Sequence, residues 1–223
     1  MTPRELIDTA IVPGGEELRL FRRGGDFMIV LDRNELMNTR MSGSEEALAT
    51  LAAERLRGRA QGRAGPRVLI GGYGMGFTLR AALAAMPQAE VTVAEIVPAI
   101  LDWARGPMAA LTAGCLDDPR TRVFAGDVAD AIAGGGWDAI LLDVDNGPDG
   151  LSRAENDRLY RAGGLAATRD ALREGGVLAV WSAGPDPAFA KRMRGAGFAV
   201  DEVTVRARQN GKGPRHVIWV GVR

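Results

Sequence analysis

"VLIGGYGMGFTLRAAL", residues 68–83, sets three apolar residues ahead of Gly71, Gly72, Gly74 and Gly76, then continues as a helix-like stretch. A strand, a glycine-rich turn and a helix start in succession let backbone approach a ligand closely, beside the free N–H groups of the helix N-terminus. The same glycines also suit a tight turn needed only for packing.

Outward from this stretch, strands and helices alternate. "RVLIGG", "EVTVAEI", "TRVFAGD", "WDAILLDVD" and "VLAVWSA" read as strands. "FTLRAALAAM", "VPAILDWARGPMAAL", "VADAIAG" and "DPAFAKRMRGAG" read as helices, and "SRAENDRLYRAGGLAATRDALREGG" holds one or two more. Such alternation predicts parallel strands covered by helices on both faces. The tail "FAVDEVTVRARQNGKGPRHVIWVGVR" predicts a terminal antiparallel hairpin about a polar turn. Near the N-terminus, Leu18, Leu20 and Phe21, then Phe27, Ile29 and Leu31, alternate about Gly24-Gly25, the pattern of a hairpin. "SGSEEALATLAAERLRG" predicts a helix capped by Ser42 or Ser44 and closed by Gly58, followed by the linker "GRAQGRAGP". The expected fold is α/β, a doubly wound, mostly parallel sheet with a C-terminal antiparallel hairpin. A small N-terminal β-hairpin element occupies residues 1–41 and the main domain residues 42–223.

Composition narrows the function. The 223 residues carry 28 basic and 28 acidic side chains, which argues against a protein held to nucleic acid by charge alone. No run of 18 apolar residues and no signal-peptide layout is present, so no membrane partner and a cytoplasmic protein are expected. One cysteine, Cys115, and one histidine, His216, leave only carboxylates for a metal site, and no metal is expected.

Acidic residues end the strands that follow the glycines. Glu95 ends the second strand, where an acid accepts hydrogen bonds from ribose hydroxyls. Asp127, after the third strand, either accepts from an adenine amine or caps the helix "VADAI". Asp143 and Asp145 close the fourth strand. In an open parallel sheet, ligands gather at these carboxyl ends. Gly72, Gly74 and Gly76 are spaced G-x-G-x-G, the form found in S-adenosylmethionine enzymes, and not the G-x-G-x-x-G of dinucleotide folds.

"VLIGGYGMG", "VAEI", "DPRTRVFAGDVADAI", "WDAILLDVDNGP" and "ALREGGVLAVW" together resemble the spermidine synthase branch of the class I S-adenosylmethionine-dependent methyltransferase superfamily, over about residues 66–200. The resemblance implies a nucleoside-thioether cofactor, S-adenosylmethionine or its decarboxylated form. Gly71, Gly72, Gly74, Gly76, Glu95, Ile96, Asp127, Val128 and Asp143 would hold it. It further implies that Asp143, with Asp145 beside it, faces the incoming nucleophile. Departures are plain. Aminopropyltransferases carry an aspartate where Gly74 and Met75 stand, a D-x-x-D pair in place of the closer Asp143 and Asp145, and a tyrosine motif where "SGSEEA" stands. Losing those anchors argues against ordinary putrescine, because a buried cation needs carboxylates. Conversely, many methyltransferases carry an acid at the position of Ile70.

The favoured expectation is methyl transfer to a small-molecule acceptor. The alternatives are aminopropyl transfer to an amine and a silent nucleoside-binding module; a homodimer is compatible with all three. Asp143 serves either as base or as a cation ligand, and Tyr73 either stacks on substrate or packs. Trp181, at the end of the fifth strand, is a candidate to line the acceptor site; Trp103 is read in the core or beside adenine, and Trp219 and His216 as structural. Arg22 and Arg23 are read as a solvated turn.

Overall fold

The computed structural model describes residues 3–57, 65–144 and 156–223. Its N-terminal part is an antiparallel four-stranded meander of β1 (Glu5–Ile11), β2 (Glu17–Arg23), β3 (Asp26–Leu31) and β4 (Asn34–Asn38). The expected hairpin is β2–β3, with Arg23 opposite Asp26 across Gly24-Gly25. The hairpin expectation is thus corrected to four strands. The two added strands lack an alternating apolar face: β1 leaves Leu6 and Ile11 exposed, and β4 has Leu36 and Met37 side by side.

Helix α1 (Gly43–Leu56) follows, burying Leu48, Ala49, Ala52, Ala53 and Leu56 as one stripe. The expected capping does not form. Ser42 holds the cap position without a side-chain bond, and the Ser44 hydroxyl meets His216 Nδ1 at 2.8 Å instead. Gly58 lies outside the described residues.

The main sheet then builds from β5 (Arg67–Gly71), α2 (Phe77–Ala85), β6 (Glu90–Glu95), α3 (Pro98–Arg105), β7 (Thr121–Ala125), α4 (Val128–Ala133) and β8 (Trp137–Leu142). It continues with α5 (Asp157–Tyr160), α6 (Ala162–Ala171), β9 (Leu172–Ser182), α7 (Pro187–Gly195), β10 (Ala199–Arg206) and β11 (Arg215–Val222). Strand order is β10-β11-β9-β8-β5-β6-β7, parallel except for β11, which runs antiparallel to both neighbours. All six residues of the central β8 are buried because both sheet faces are covered. One apolar cluster joins the N-terminal sheet and α1–α3 to one face, and a second packs α4–α7 on the other. No helix among the described residues is long and apolar enough to cross a membrane.

Two boundaries differ from expectation. Gly106 ends α3 early, and Ala109–Leu111 form a separate 3-10 turn. Strand β9 begins at Leu172, opposite Trp137, and bulges before Val177 pairs with Ala139; Gly175 at φ +72° allows the bulge.

Strand β5 lies between β6 and β8, so the chain diverges to opposite sides at its carboxyl end, the place where a crevice opens in such sheets. The glycines there serve different neighbours. At Gly72, φ +80°, a Cβ would sit 3.0 Å from the Asp143 carbonyl oxygen. At Gly76, φ +78°, it would sit 2.5 Å from Tyr73 Oη and 2.6 Å from Cζ. We predict that Gly76→Ala destabilises the protein by about 1–3 kcal/mol, from left-handed strain plus overlap with a buried ring. Gly114 has φ +74°, and a Cβ there would meet nothing within 4 Å, so Gly114→Ala is the control for strain alone. Equal losses for the two in urea titration would remove Tyr73 from the explanation.

Candidate active site

Two adjoining cavities open at the carboxyl ends of β5, β6 and β8. The first is lined by Gly72, Gly74, Glu95, Ile96, Asp127 and Val128, and closed by apolar residues of the N-terminal sheet such as Leu18 and Leu31. The second is lined by Glu35, Met41, Glu45, Trp181, Ala183 and His216. Leu36, Met37, Asp143 and Val144 line both. Asp143 therefore stands where the two meet.

The expected nucleoside residues mostly gather on the first cavity, with corrections in detail. Gly71 and Gly76 do not line it: Gly71 packs on Val128, Leu142 and Val144, and Gly76 on Tyr73. Gly74, φ +55°, faces Met37, whose sulfur would lie 3.1 Å from a Cβ. Of the glycines in this loop, Gly72 and Gly74 are thus the two that border the cavity.

Glu95 is buried and its carboxylate fixes the glycine loop. Oε2 accepts from the Tyr73 amide at 2.9 Å and Oε1 from the Val97 amide at 2.8 Å. Burial pushes its carboxyl up, and amide donors from Val97, Tyr73, Ile96 and Gly74 oppose the shift. Each oxygen accepts one of these short amide bonds and keeps further acceptor capacity. Asp127 caps α4, with Oδ1 accepting from the Ala129 amide at 2.8 Å, while Oδ2 pairs with Arg158 at 2.6 Å. Of its two sequence readings, the cap is the one present in the protein's own hydrogen bonds.

Tyr73 is buried under Gly76, its hydroxyl 3.3 Å from Thr112 Oγ1, and burial pushes the phenol up. It packs in the core and is absent from the described lining of both cavities. Trp103 is buried and donates from Nε1 to Asp8 Oδ2 at 2.7 Å, tying α3 to β1. Trp219 is buried and donates to Glu202 at 2.9 Å; Arg22 pairs with Glu5 in solvent at 2.9 Å. Asp145 and the following Asn146, Gly147 and Pro148 lie outside the described residues.

The second cavity contains what sequence reasoning missed. Glu45, in the first turn of α1, lies beside Asp143. Thr78 holds them in place, with its hydroxyl 3.2 Å from Asp143 Oδ2 and 3.4 Å from the Glu45 carbonyl oxygen. Glu46 is neutralised by Arg80 at 2.5 Å and bonded by Gln209 at 2.8 Å, whereas no basic side chain among the described residues pairs with Glu45. Burial pushes Glu45 well above the usual carboxylate range, with Asp143 and Glu46 adding repulsion. Burial likewise pushes Asp143 up to about 6, opposed by the Thr78 hydroxyl. The signal available in sequence was a pair of acids, "SEEA", but helix starts favour acids anyway and the pattern carried no separate message. Trp181 and His216 also line this cavity.

No protein-family model matches the chain. The polyamine aminopropyltransferase of Mycobacterium tuberculosis (strain CDC 1551 / Oshkosh) is 30% identical over 196 residues, covering 83% of this chain and 35% of that protein. Polyamine aminopropyltransferase 1 of Streptomyces coelicolor is 33% identical over 148 residues, covering 62% and 27%. The chain spans about a third of the length of the curated relatives it matches. Among solved structures, spermidine synthase from Thermotoga maritima superposes with a TM-score of 0.75 at 19% identity, covering 98% of this chain and 72% of that one. A spermidine synthase in complex with the transition state analogue AdoDATO gives 0.74 at 18%, with the same coverage. The fold is therefore the class I S-adenosylmethionine-dependent methyltransferase-like fold. In sequence the chain is similar to polyamine aminopropyltransferases, and in fold to spermidine synthases.

The carboxyl pair gives a pH-dependent prediction. The folded-state value of Asp143 is raised from 3.8 to about 6, so its contribution to stability is full below about pH 4 and lost as pH rises through 6. Asp143→Asn keeps the shape and removes the charge. We expect the unliganded variant to melt above the parent at pH 8, with the gap closing towards pH 4. A pH-independent gap in thermal scans would refute the buried-charge account.

Proposed function

We propose that the chain is an aminopropyltransferase acting on decarboxylated S-adenosylmethionine and an amine. The observation that carries this reading is the position of Asp143, at the junction of both cavities, with Glu45 beside it and no basic partner for Glu45 among the described residues. Two crowded carboxylates in a partly dry cavity are costly alone and complementary to an ammonium ion. A neutral acceptor for methyl transfer leaves them unmatched. The resemblance to proteins named polyamine aminopropyltransferase and spermidine synthase supports the same choice.

In this reading the donor's nucleoside occupies the first cavity, with Glu95 accepting from the ribose hydroxyls and Ile96, Asp127 and Val128 bordering the base. The amine enters the second, and Asp143 with Glu45 holds it and takes its proton. The freed nitrogen lone pair attacks the aminopropyl carbon bonded to the sulfonium. A C–N bond forms, the C–S bond breaks, and the sulfur leaves as the neutral thioether methylthioadenosine. Positioning supplies most of the acceleration, because the sulfonium already activates the carbon.

The decisive experiment supplies either donor with a panel of amines. Methylthioadenosine is expected from decarboxylated S-adenosylmethionine; S-adenosylhomocysteine from S-adenosylmethionine, without methylthioadenosine in the first arm, would replace this reading with methyl transfer. Asp143→Asn is expected to lower turnover by roughly 10²–10⁴-fold while methylthioadenosine affinity changes little. Turnover should also fall as pH drops through about 6, where Asp143 gains its proton. Glu95→Ala should instead weaken methylthioadenosine binding by about 1.5–3 kcal/mol, the range for a hydrogen bond to a charged group. Unchanged affinity by calorimetry would remove Glu95 from the ribose.

A further inference from the structure

The wall of the second cavity opposite in character to its carboxylates is formed by Trp181 and His216, the chain's only histidine. The two rings meet edge to face at 4.7 Å between centroids and 75°. His216 Nδ1 is 2.8 Å from Ser44 Oγ. Either atom can be the donor in this contact; with the Ser44 hydroxyl donating to Nδ1, the ring proton resides on Nε2. Nε2 has no partner among the described residues, and the ring lines the cavity. Burial pushes the imidazole below its usual range, which favours its neutral form. Trp181 Nε1 is a second N–H without an acceptor among the described residues.

We propose that His216 is an acceptor-binding residue that donates from Nε2, and that the amine taken here carries a neutral oxygen function, as an amino alcohol does, instead of a second ammonium. This specifies the acceptor of the transferase reading above and rests on it. The ammonium end is drawn to Glu45 and Asp143. At the other wall, a second ammonium would bring only hydrogens to an N–H donor. A carboxylate would face Glu35, Glu45 and Asp143 in a cavity with no lysine or arginine among its described lining. A hydroxyl or ether oxygen accepts from Nε2 without either conflict. Glu35 is exposed and already accepts from Asn38 Nδ2 at 2.6 Å, which places the competing site for a diamine at the cavity rim.

The test uses the full chain loaded with methylthioadenosine and compares 5-aminopentan-1-ol, 1,5-diaminopentane and pentylamine by calorimetry. The amino alcohol is expected to bind about tenfold more tightly than either, the worth of one buried hydrogen bond. In His216→Phe its advantage over pentylamine should collapse to within about threefold, while His216→Gln, which keeps an N–H donor, should retain more of it. The ratio of two ligands on one variant is insensitive to a fraction of unfolded protein. Preference for the diamine, or an unchanged ratio in His216→Phe, overturns the proposal. Turnover with decarboxylated S-adenosylmethionine separates the two readings. No methylthioadenosine from any amine, with the binding preference intact, sinks the transferase reading and leaves the His216 assignment standing. Failure of all three amines to bind overturns both.

Discussion

The close approach of the carboxyl ends of β5 and β8 governs the site. The Asp143 amide donates to the Gly71 carbonyl at 3.1 Å, and the Asp143 carbonyl lies where a Cβ on Gly72 would need room. A side chain at Gly72 would push the two strand ends apart. With glycine there, the turn leading to α2 and the acid ending β8 stand side by side. Everything else follows from that contact. The Gly72 amide is held by the Ala94 carbonyl at 2.9 Å, which brings in the end of β6, and Glu95 then fastens the loop through the Tyr73 amide.

The protein meets two opposed electrostatic demands within one crevice. Around the first cavity, acids are satisfied by the chain itself: Glu95 by amides, Asp127 by a helix start and an arginine. Around the second, Glu45 and Asp143 are left crowded, with only the Thr78 hydroxyl to relieve Asp143. Charge balance across the whole chain therefore conceals a crowded, buried carboxyl pair whose surroundings favour its protonated forms.

The main sheet was legible because both of its periodicities are strong: β8 is buried on both faces and apolar but for Asp138, and each of β5 to β9 is followed by a helix. The N-terminal sheet was half legible, since β2 and β3 alternate while β1 and β4 do not. At the site, residues carried by strand ends could be placed from sequence, because topology brings strand ends together whatever their side chains. Glu45 and His216 could not. They reach the cavity from α1 and β11, separated by more than half the chain, and only the docking of α1 across the sheet joins them. Tyr73 was open in sequence between ligand contact and packing, and the local backbone turns the ring inward beneath Gly76.

Three consecutive residues of α1 are fastened between them to α2, β11 and the β10–β11 connection. Ser44 meets His216 of β11, the Glu45 carbonyl meets Thr78 of α2, and Glu46 meets both Arg80 of α2 and Gln209 in the β10–β11 connection. Successive residues of a helix point about 100° apart. The three fastenings therefore fix the helix in rotation as well as in translation, as a key is fixed by notches on several sides. A slip of one residue would break all three at once and swing the Glu45 carboxylate out of the crevice. The position of the Glu45 carboxylate in the cavity thus depends on the phase of the helix.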